Sequence, residues 1–292
     1  MTLQVDLNCD MGESFGAYEI GADDAVFPFI TSANIACGFH GGDPTVMRRT
    51  IASAVKHGVA VGAHPGLPDL IGFGRRNMDV SPDDAYDMVV YQVGALLGVA
   101  RAAGVPVQHV KAHGALYNMA AVKRELATAI ARAVRDVDRE LVLFGLPGSF
   151  LISEGEAAGL TTACEAFADR NYMSDGTLVS RKRPDAHVHD ANEAVSRAIR
   201  MVREGKVRSV DGVDVALRAD TICLHGDGAH AVEFAQHLRA YPPSASGRAA
   251  ARRSGEAPSL DRPVCERSRR ATECDARLAQ CAINGAALCE RP

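Results

Sequence analysis

The sequence predicts an α/β protein with one mainly parallel, barrel-like sheet. From the N-terminus to about residue 240, short apolar runs alternate with longer segments of helical periodicity. Repeated strand-then-helix units give parallel strands joined by right-handed crossovers. Six or seven units favour a single (β/α) barrel over two domains, but an open, doubly wound sheet stays possible because periodicity does not reveal closure. Strands are predicted over residues 3–7, 32–36, 59–63, 107–111, 141–145, 161–166 and 221–224.

The predicted helices carry capping residues at their ends. Asp43, which precedes a proline, is typical of an N-cap, and Gly58 ends the same helix. Residues 81–84 (Ser-Pro-Asp-Asp) begin the next helix, which we expect to reach Gly104. A further helix is predicted over residues 190–205, where apolar residues recur at helical spacing. These boundaries separate successive strands, as the barrel requires.

The overall composition excludes several classes of protein. Hydrophobic residues make up 47% of the 292 positions, which is enough for a sizeable core although Trp is absent. A net charge of −4 argues against a dedicated nucleic-acid binder, which normally has a basic face. The sequence has neither a signal-peptide pattern nor an apolar run of about 20 residues, so we expect a cytoplasmic protein that does not engage a membrane.

The eight cysteines fall into two groups. Four lie in apolar, strand-like stretches, where a free cysteine behaves as a small buried hydrophobe, and four lie in the last 30 residues. None forms a CxxC pair, so a structural zinc site of the usual spacing is not predicted, and a cytoplasmic chain is not expected to form disulfides. The first group is Cys9, Cys37, Cys164 and Cys223; the second is Cys265, Cys274, Cys281 and Cys289.

Polar residues concentrate where the predicted strands end. In parallel α/β folds the carboxyl ends of the strands form the active face, so this clustering predicts an active-site rim. Histidines at four strand ends suit general acid–base catalysis, or binding of a divalent ion together with Asp6, Asp10 or Asp227. The rim residues are Asp6, Asn8, Asp10, Glu13, His40, His64, Lys111, His113, Glu165, His225 and Asp227. Six other histidines are interpreted as surface or capping residues: His57, His109, His187, His189, His230 and His237.

Five long and unusual strings carry a family resemblance. They are DLNCDMGESFG from Asp6, ITSANIACGFHGGDP from Ile30, GAHPGLPDLIGFGRR from Gly62, HGALYN from His113 and FADRNY from Phe167. In this order and spacing the chain resembles the LamB/YcsF family over roughly residues 3–238. One departure is Ala112, where the family usually has proline; the change leaves the flanking Lys and His side chains in place.

The resemblance implies a fold, a reaction and partners. The fold would be a distorted TIM-type barrel of the glycoside hydrolase/deacetylase kind. The reaction would be cleavage of the cyclic amide 5-oxo-L-proline to L-glutamate, coupled to hydrolysis of ATP with Mg²⁺. The chain would act in a complex with separate B and C subunits. No GxxxxGK[ST] string occurs, so any ATP site would not be a P-loop.

Such a reaction assigns roles to the rim residues. A resonance-stabilised lactam can be activated by phosphorylation of the amide oxygen, after which water attacks; this needs cations for phosphate, a base, and stabilisation of developing charge. The candidate catalytic residues are Asp10, Glu13, His40, His64, Lys111, His113 and His225. The candidate substrate- and phosphate-binding residues are Asn8, Arg75, Arg76, Glu165 and Asp227, and the sequence assigns no metal ligand.

Several of these residues have a purely structural alternative. Arg75 and Arg76 are then solvated loop charges. Asp10 and Glu13 would hydrogen-bond to the N-terminus of a following helix. Glu165, with Asp169 and Arg170, would form an internal ion pair that holds the rim.

Residues 241–292 have a different character. They contain no Lys, His or Phe but nine arginines, with much Ser, Ala, Gly and Pro between them. We therefore place one catalytic barrel domain at residues 1–240 and an anomalous tail at 241–292. The tail is interpreted as the product of a shifted reading frame, with a disordered basic interaction segment as the alternative.

Two other functions stay open at the level of sequence. One is a stand-alone, metal-dependent amidase or carbohydrate deacetylase, suggested by the fold type and the Asp/His-rich rim. The other is a scaffold without catalytic activity that positions substrate for partner subunits.

Overall fold

A computed structural model describes residues 5–225 and 231–240 of the chain. Seven strands form its barrel: β1 Asp6–Met11, β2 Ser32–Ala36, β3 Ala60–His64, β4 Val107–Lys111, β5 Val142–Gly145, β6 Thr162–Phe167 and β9 Thr221–His225. All pair in parallel in this order, and β9 pairs with both β6 and β1. The sheet is therefore a closed barrel, which confirms the predicted fold class and rules out the open, doubly wound sheet.

Helices connect the strands along the outside of the barrel. They are α1 Asp23–Val26, α2 Pro44–His57, α3 Pro82–Ala102, α4 Gly114–Val122, α5 Arg124–Val137, α6 Phe150–Ala157, α7 Ala191–Glu204 and α8 Ala231–Ala240. A 3₁₀ turn spans Phe27–Phe29, and β7 Lys206–Arg208 pairs antiparallel with β8 Asp214–Ala216 beside the barrel. Among the described residues no helix is both long and apolar enough to cross a membrane.

The predicted helix caps are confirmed. The Asp43 side chain accepts hydrogen bonds from the first turn of α2, and Gly58 ends that helix with φ 67°. Ser81 and Asp84 form a reciprocal capping box at the start of α3, which ends at Ala102, slightly before the predicted Gly104. Capping chemistry is local, so it can be identified from a few consecutive residues.

The first strand continues past the predicted end at residue 7. Asn8 and Asp10 lie inside β1, together with Asp6, rather than after the strand. Successive side chains of a strand alternate between its two faces, so these three residues, spaced by two, point to the same side. Polar side chains in a barrel interior can form hydrogen bonds with one another. A run of polar residues therefore does not mark the end of a strand.

A chain of hydrogen bonds between side chains runs through the barrel interior. The Asn8 amide donates to the Thr221 hydroxyl at 2.7 Å, and the Asn34 amide donates to Asn8 Oδ1 at 2.7 Å. His109 Nε2 lies 2.8 Å from Asn34 Oδ1, and since that oxygen only accepts, the ring donates. This network takes the place of the branched apolar layers that usually fill such barrels.

The prediction that His109 is a surface or capping residue is wrong. Its ring is fully buried and stacks on Phe144 with the centroids 4.3 Å apart. Burial, reinforced by the nearby charge of Lys111, lowers the pKa of His109 to about 3, so the ring is neutral at physiological pH. The spacing of two residues between His109 and Lys111 on one strand was the available signal for an inward-facing side chain.

The four cysteines predicted to be buried are confirmed as buried free thiols: Cys9, Cys37, Cys164 and Cys223. Three of them, Cys9, Cys37 and Cys223, belong to the aliphatic core of the domain. The second group of cysteines, with the whole segment 241–292, lies outside the described residues.

Gly62 on β3 makes room for the buried imidazole. A Cβ atom at this position would lie 2.0 Å from His109 Nε2, far inside van der Waals contact. The ring therefore packs directly on the backbone of the neighbouring strand, which a larger residue would prevent.

Gly62→Ala should destabilise the protein because the added methyl displaces His109 from its contact with Asn34. We expect a loss of about 1–3 kcal/mol in the free energy of unfolding, measured by urea denaturation. Gly98→Ala is the matched control: Gly98 lies in α3 with open space around its Cα. That helical substitution should instead stabilise by about 0.5–1 kcal/mol. Equal effects of the two substitutions would contradict the packing described for His109.

Candidate active site

Six of the predicted catalytic side chains lie together at the carboxyl end of the barrel. Three are on strand ends and three on the loops that follow, where parallel strands bring their ends to one side. All six are buried: Asp10, Glu13, His40, His64, Lys111 and His113.

Lys111 lies at the centre of the interior. Its ammonium is 2.8 Å from Asp10 Oδ1 and 2.8 Å from Glu165 Oε1. The Cys223 sulfur is 3.0 Å away, and the Phe167 ring centroid 5.5 Å. Burial alone would lower the pKa of Lys111, but Asp10, Cys223 and Glu165 outweigh it and hold the pKa well above its ordinary value. The site therefore contains a fixed positive charge between two carboxylates.

Backbone carbonyl groups fix the tautomers of two histidines. His64 Nδ1 lies 2.7 Å from the carbonyl oxygen of Lys111, and His113 Nε2 lies 2.8 Å from that of Phe73. A carbonyl oxygen only accepts, so each of these nitrogens carries a hydrogen. The other two nitrogens, His64 Nε2 and His113 Nδ1, face each other at 2.9 Å.

His40 completes a cluster of three imidazoles, His40, His64 and His113, called here the histidine cluster. Its ring stacks on His113 with the planes 1° apart and the centroids 3.7 Å apart. Burial holds the pKa of both His40 and His113 well below the ordinary value, and so does the repulsion that a second protonated imidazole beside each ring would cause. These two rings are therefore neutral at physiological pH.

Two carboxylates border the histidine cluster. Asp10 Oδ2 is 3.3 Å from His64 Nε2, and Glu13 Oε1 is 3.3 Å from His40 Nε2 and 3.4 Å from His113 Nδ1. Ligand atoms of Glu13 and the three histidines all lie within 4.8 Å of one another. The arrangement can exchange protons with a bound water molecule, and its donor atoms are of the kind that bind a divalent ion.

The loop after β3 closes over the histidine cluster in a strained conformation. Phe73 has φ 54°, which is unusual for a residue other than glycine, and its ring contacts His40 and His113 edge-on. A Cβ atom on Gly74 would lie 2.7 Å from the Cβ of His40. Strain of this kind is retained where the surrounding structure requires it, often at functional sites.

A cavity of about 850 Å³ opens above Asp10, His64, Lys111 and His113. Its wall also includes the apolar side chains of Leu146 and Phe167. Besides Lys111, five cationic residues line it: Arg75, Arg76, Arg170, Arg181 and Lys182. A cavity with buried acid–base groups at its floor and positive charge around it suits a small anionic ligand.

Sequence comparison identifies the family. A sequence model of the LamB/YcsF family matches residues 5–253. The chain belongs to the LamB/YcsF family.

Curated members of the LamB/YcsF family match most of the chain. A Bacillus licheniformis protein, named as the A subunit of 5-oxoprolinase, is 65% identical over 236 residues, which are 81% of this chain and 93% of the relative. The Bacillus subtilis protein of the same name is 62% identical, with 81% and 92% covered. The Bordetella pertussis protein of that name is 60% identical over 239 residues, with 82% and 95% covered.

A solved structure supports the same assignment. The lactam utilization protein of Thermus thermophilus is 50% identical to this chain and superposes with a TM-score of 0.77. The match covers 81% of this chain and 94% of the other. The barrel that the resemblance implied is therefore the LamB/YcsF fold.

The remaining predicted site residues occupy different positions. Arg75 and Arg76 lie on the cavity wall, where Arg75 stacks over Phe73 at 4.7 Å and Arg76 pairs with Asp69. Asn8 is buried beneath the site, in the hydrogen-bond network of the barrel. His225 pairs with Asp10 in the register of β9 with β1. Asp227 lies outside the described residues.

The structure bears on two structural alternatives from the sequence analysis. Glu165 forms an internal ion pair with Lys111, and the Arg170 guanidinium donates to the carbonyl oxygens of Val179 and Ala186. Asp10 accepts hydrogen bonds from Asn34 and Lys111 inside the barrel, so it does not serve as a helix cap. Arg181 and Lys182 are not predicted from the sequence, because a long loop gives no periodic signal of which residues turn toward a cavity.

Lys111→Met should strongly destabilise the protein, because it leaves Asp10 and Glu165 buried without a counter-charge. We expect a loss of about 3–5 kcal/mol at pH 7.5, measured by urea denaturation.

The exposed Lys206 on β7 supplies the control for this experiment. Lys206→Met should change stability by less than about 0.5 kcal/mol at the same pH. A Lys111→Met variant as stable as the Lys206 variant would show that the Lys111 ion pairs are not formed as described.

Proposed function

We propose that this chain is the subunit of an ATP-dependent 5-oxoprolinase that hydrolyses the activated lactam. The observation that carries the proposal is the juxtaposition of the histidine cluster and Asp10 with a cation-lined cavity. The names of the LamB/YcsF relatives, which are the A subunit of 5-oxoprolinase and a lactam utilization protein, support the same reaction.

The chemistry of a lactam explains why such a site is needed. Phosphorylation of the amide oxygen gives a cyclic imidate with a good electrophilic carbon, and addition of water forms the new C–O bond. The tetrahedral intermediate must then break its C–N bond with a proton delivered to the ring nitrogen. Loss of phosphate at this stage would only return the lactam. The γ-glutamyl phosphate formed by C–N cleavage takes up a second water molecule and releases glutamate and phosphate.

The residues at the cavity floor match these steps. The imidazoles beside Asp10 can take a proton from water and return it to the ring nitrogen. The Lys111 ammonium offers a fixed positive charge to the oxygen that becomes negative. Arginines such as Arg75 and Arg181 suit the phosphoryl and carboxylate groups of the substrate, since a guanidinium binds both in a fork-like manner.

The ATP step belongs, in this proposal, to the assembly with separate B and C subunits. The chain has no P-loop string, so the phosphorylation that uses ATP with Mg²⁺ is placed with those partners and hydrolysis with this chain. Four free buried thiols suit a reducing, cytoplasmic compartment. Residues 1–240 would then be the catalytic unit.

A stand-alone, metal-dependent amidase or deacetylase is the second candidate. The observation that favours it is the convergence of Glu13 and the histidine cluster. Such an enzyme would act without ATP or partner subunits.

Glutamate release from 5-oxoproline tests these functions. Release by the chain with the B and C subunits should be strictly ATP-dependent and should stop when this chain is omitted. His64→Gln should lower it by about 10²–10⁴-fold, the usual contribution of acid–base groups. The ratio of ADP to glutamate should also rise, because the activated lactam is no longer opened productively.

Three outcomes would overturn the proposal. Release without ATP and partners would favour the metal-dependent amidase. Full activity of the His64 variant would favour a scaffold without catalytic activity. Glutamate release in the absence of this chain would show that the chain has no role in the reaction. The control is His57→Gln, since His57 is an exposed residue at the end of α2 and should not affect the rate.

A further inference from the structure

Two imidazole nitrogens in the histidine cluster face each other, and when both rings are neutral no hydrogen lies between them. The tautomers of His64 and His113 are fixed by the carbonyl oxygens of Lys111 and Phe73, as described above. The lone pairs of His64 Nε2 and His113 Nδ1 therefore point into the same 2.9 Å gap. Both rings are buried, so bulk water does not separate them. Such a pair is favourable only when a proton or a metal cation lies between the two nitrogens.

Neighbouring groups add further atoms that can bind a metal ion at the same point. Glu13 Oε1 lies 3.4 Å from His113 Nδ1 and 3.3 Å from His40 Nε2. Neither ring nitrogen of His40 makes a hydrogen bond within the described part of the chain, although the ring is fully buried. A buried imidazole without a hydrogen-bond partner is uncommon and calls for an unseen ligand.

We propose that Glu13, His40, His64 and His113 bind one divalent transition-metal ion. Two ligands about 2.1 Å from the same ion are about 3.0 Å apart at a right angle and about 3.4 Å apart at the tetrahedral angle. The separations of 2.9, 3.3 and 3.4 Å match these values. Three imidazoles and one carboxylate suit Zn²⁺ or a similar imidazole-binding ion, whereas Mg²⁺ and Ca²⁺ prefer oxygen ligands.

The outer contacts of the ligands support the metal site. Histidines that bind metals usually donate their other ring hydrogen to a carbonyl or carboxylate group, which fixes the ring. His64 and His113 both make such a contact, to two different segments of backbone. Gly74 allows the loop after β3 to approach, so that the Phe73 carbonyl can reach His113.

The metal site also specifies how the proposed hydrolysis would obtain its nucleophile. A bound divalent ion lowers the pKa of a coordinated water molecule toward neutrality. With the ion bound, neither His64 nor His113 has a free ring nitrogen, so Asp10 would take the proton from that water in their place; its Oδ2 is 3.3 Å from His64 Nε2 and it borders the cavity. This use of the ion rests on the proposed function, whereas metal binding itself does not, because it is measured without substrate.

Metal content and affinity test the site directly. The full-length chain is stripped with a chelator and titrated with Zn²⁺, and with Co²⁺ as a spectroscopic probe. We expect about one ion per chain at the histidine cluster and a rise of several degrees in Tm on binding. His113→Asn and Glu13→Gln should each weaken the affinity by at least about 10-fold. The exposed-histidine controls His57→Gln and His189→Gln should bind as the unmodified chain does.

The four cysteines of residues 241–292 offer a competing place for a thiophilic ion. An ion held there would keep its affinity in His113→Asn and would give Co²⁺ the intense absorption of thiolate ligands. That result overturns the proposal, as does the failure of the folded chain to bind either ion. Circular dichroism establishes that each variant is folded, and the Glu13 variant keeps the test decisive should His113→Asn fail to fold. If metal binds but glutamate release fails, the proposed function falls and the metal site stands.

Discussion

The ion pairs of Lys111 inside the barrel are the interaction on which the rest of the structure depends. A closed barrel of parallel strands encloses its interior, and a charge placed there must be compensated within it. Lys111 meets this condition by contacting both Asp10 and Glu165. Asp10 is thereby held in place to accept a hydrogen bond from Asn34 and to border His64.

The polar network connects the core of the barrel with its site. Below Lys111, amides and a neutral imidazole satisfy one another in sequence from Thr221 to His109. Above Lys111, the histidine cluster and Asp10 form the cavity floor. The Phe73 carbonyl orients His113 there, and the long loop after β6 adds the positive charge of Arg181. A rigid barrel thus supplies the acid–base groups, while loops supply orientation and ligand charge. Stability and function are therefore not separable at these positions.

Features that depend on local chemistry, such as helix starts and strand ends, can be predicted from this sequence. Side-chain partners that depend on the three-dimensional register of the strands cannot. Asp43 and Ser81 mark helix starts through side-chain caps, and strand ends with histidines mark the site. The sequence pattern places His109 among surface or capping residues because its partner Asn34 is 75 residues away. The partner of Glu165 was also missed, since a pairing between β6 and the middle of the barrel follows only from closure. The family model continues to residue 253, past the change of composition near residue 240, so the shifted-frame interpretation of the tail stays a prediction that the gene sequence around that codon tests.

The charge state of Lys111 tests the account most directly. The chain has five lysines, so selective labelling of lysine gives few signals, and Lys111→Arg assigns the one of interest. A pH titration followed by NMR at the side-chain nitrogen measures its pKa in the folded protein. We predict that the pKa of the Lys111 ammonium lies above its ordinary value, because the surrounding carboxylates hold its proton. A pKa near or below 7 would show a neutral amine and would contradict the ion-paired interior on which the site is built.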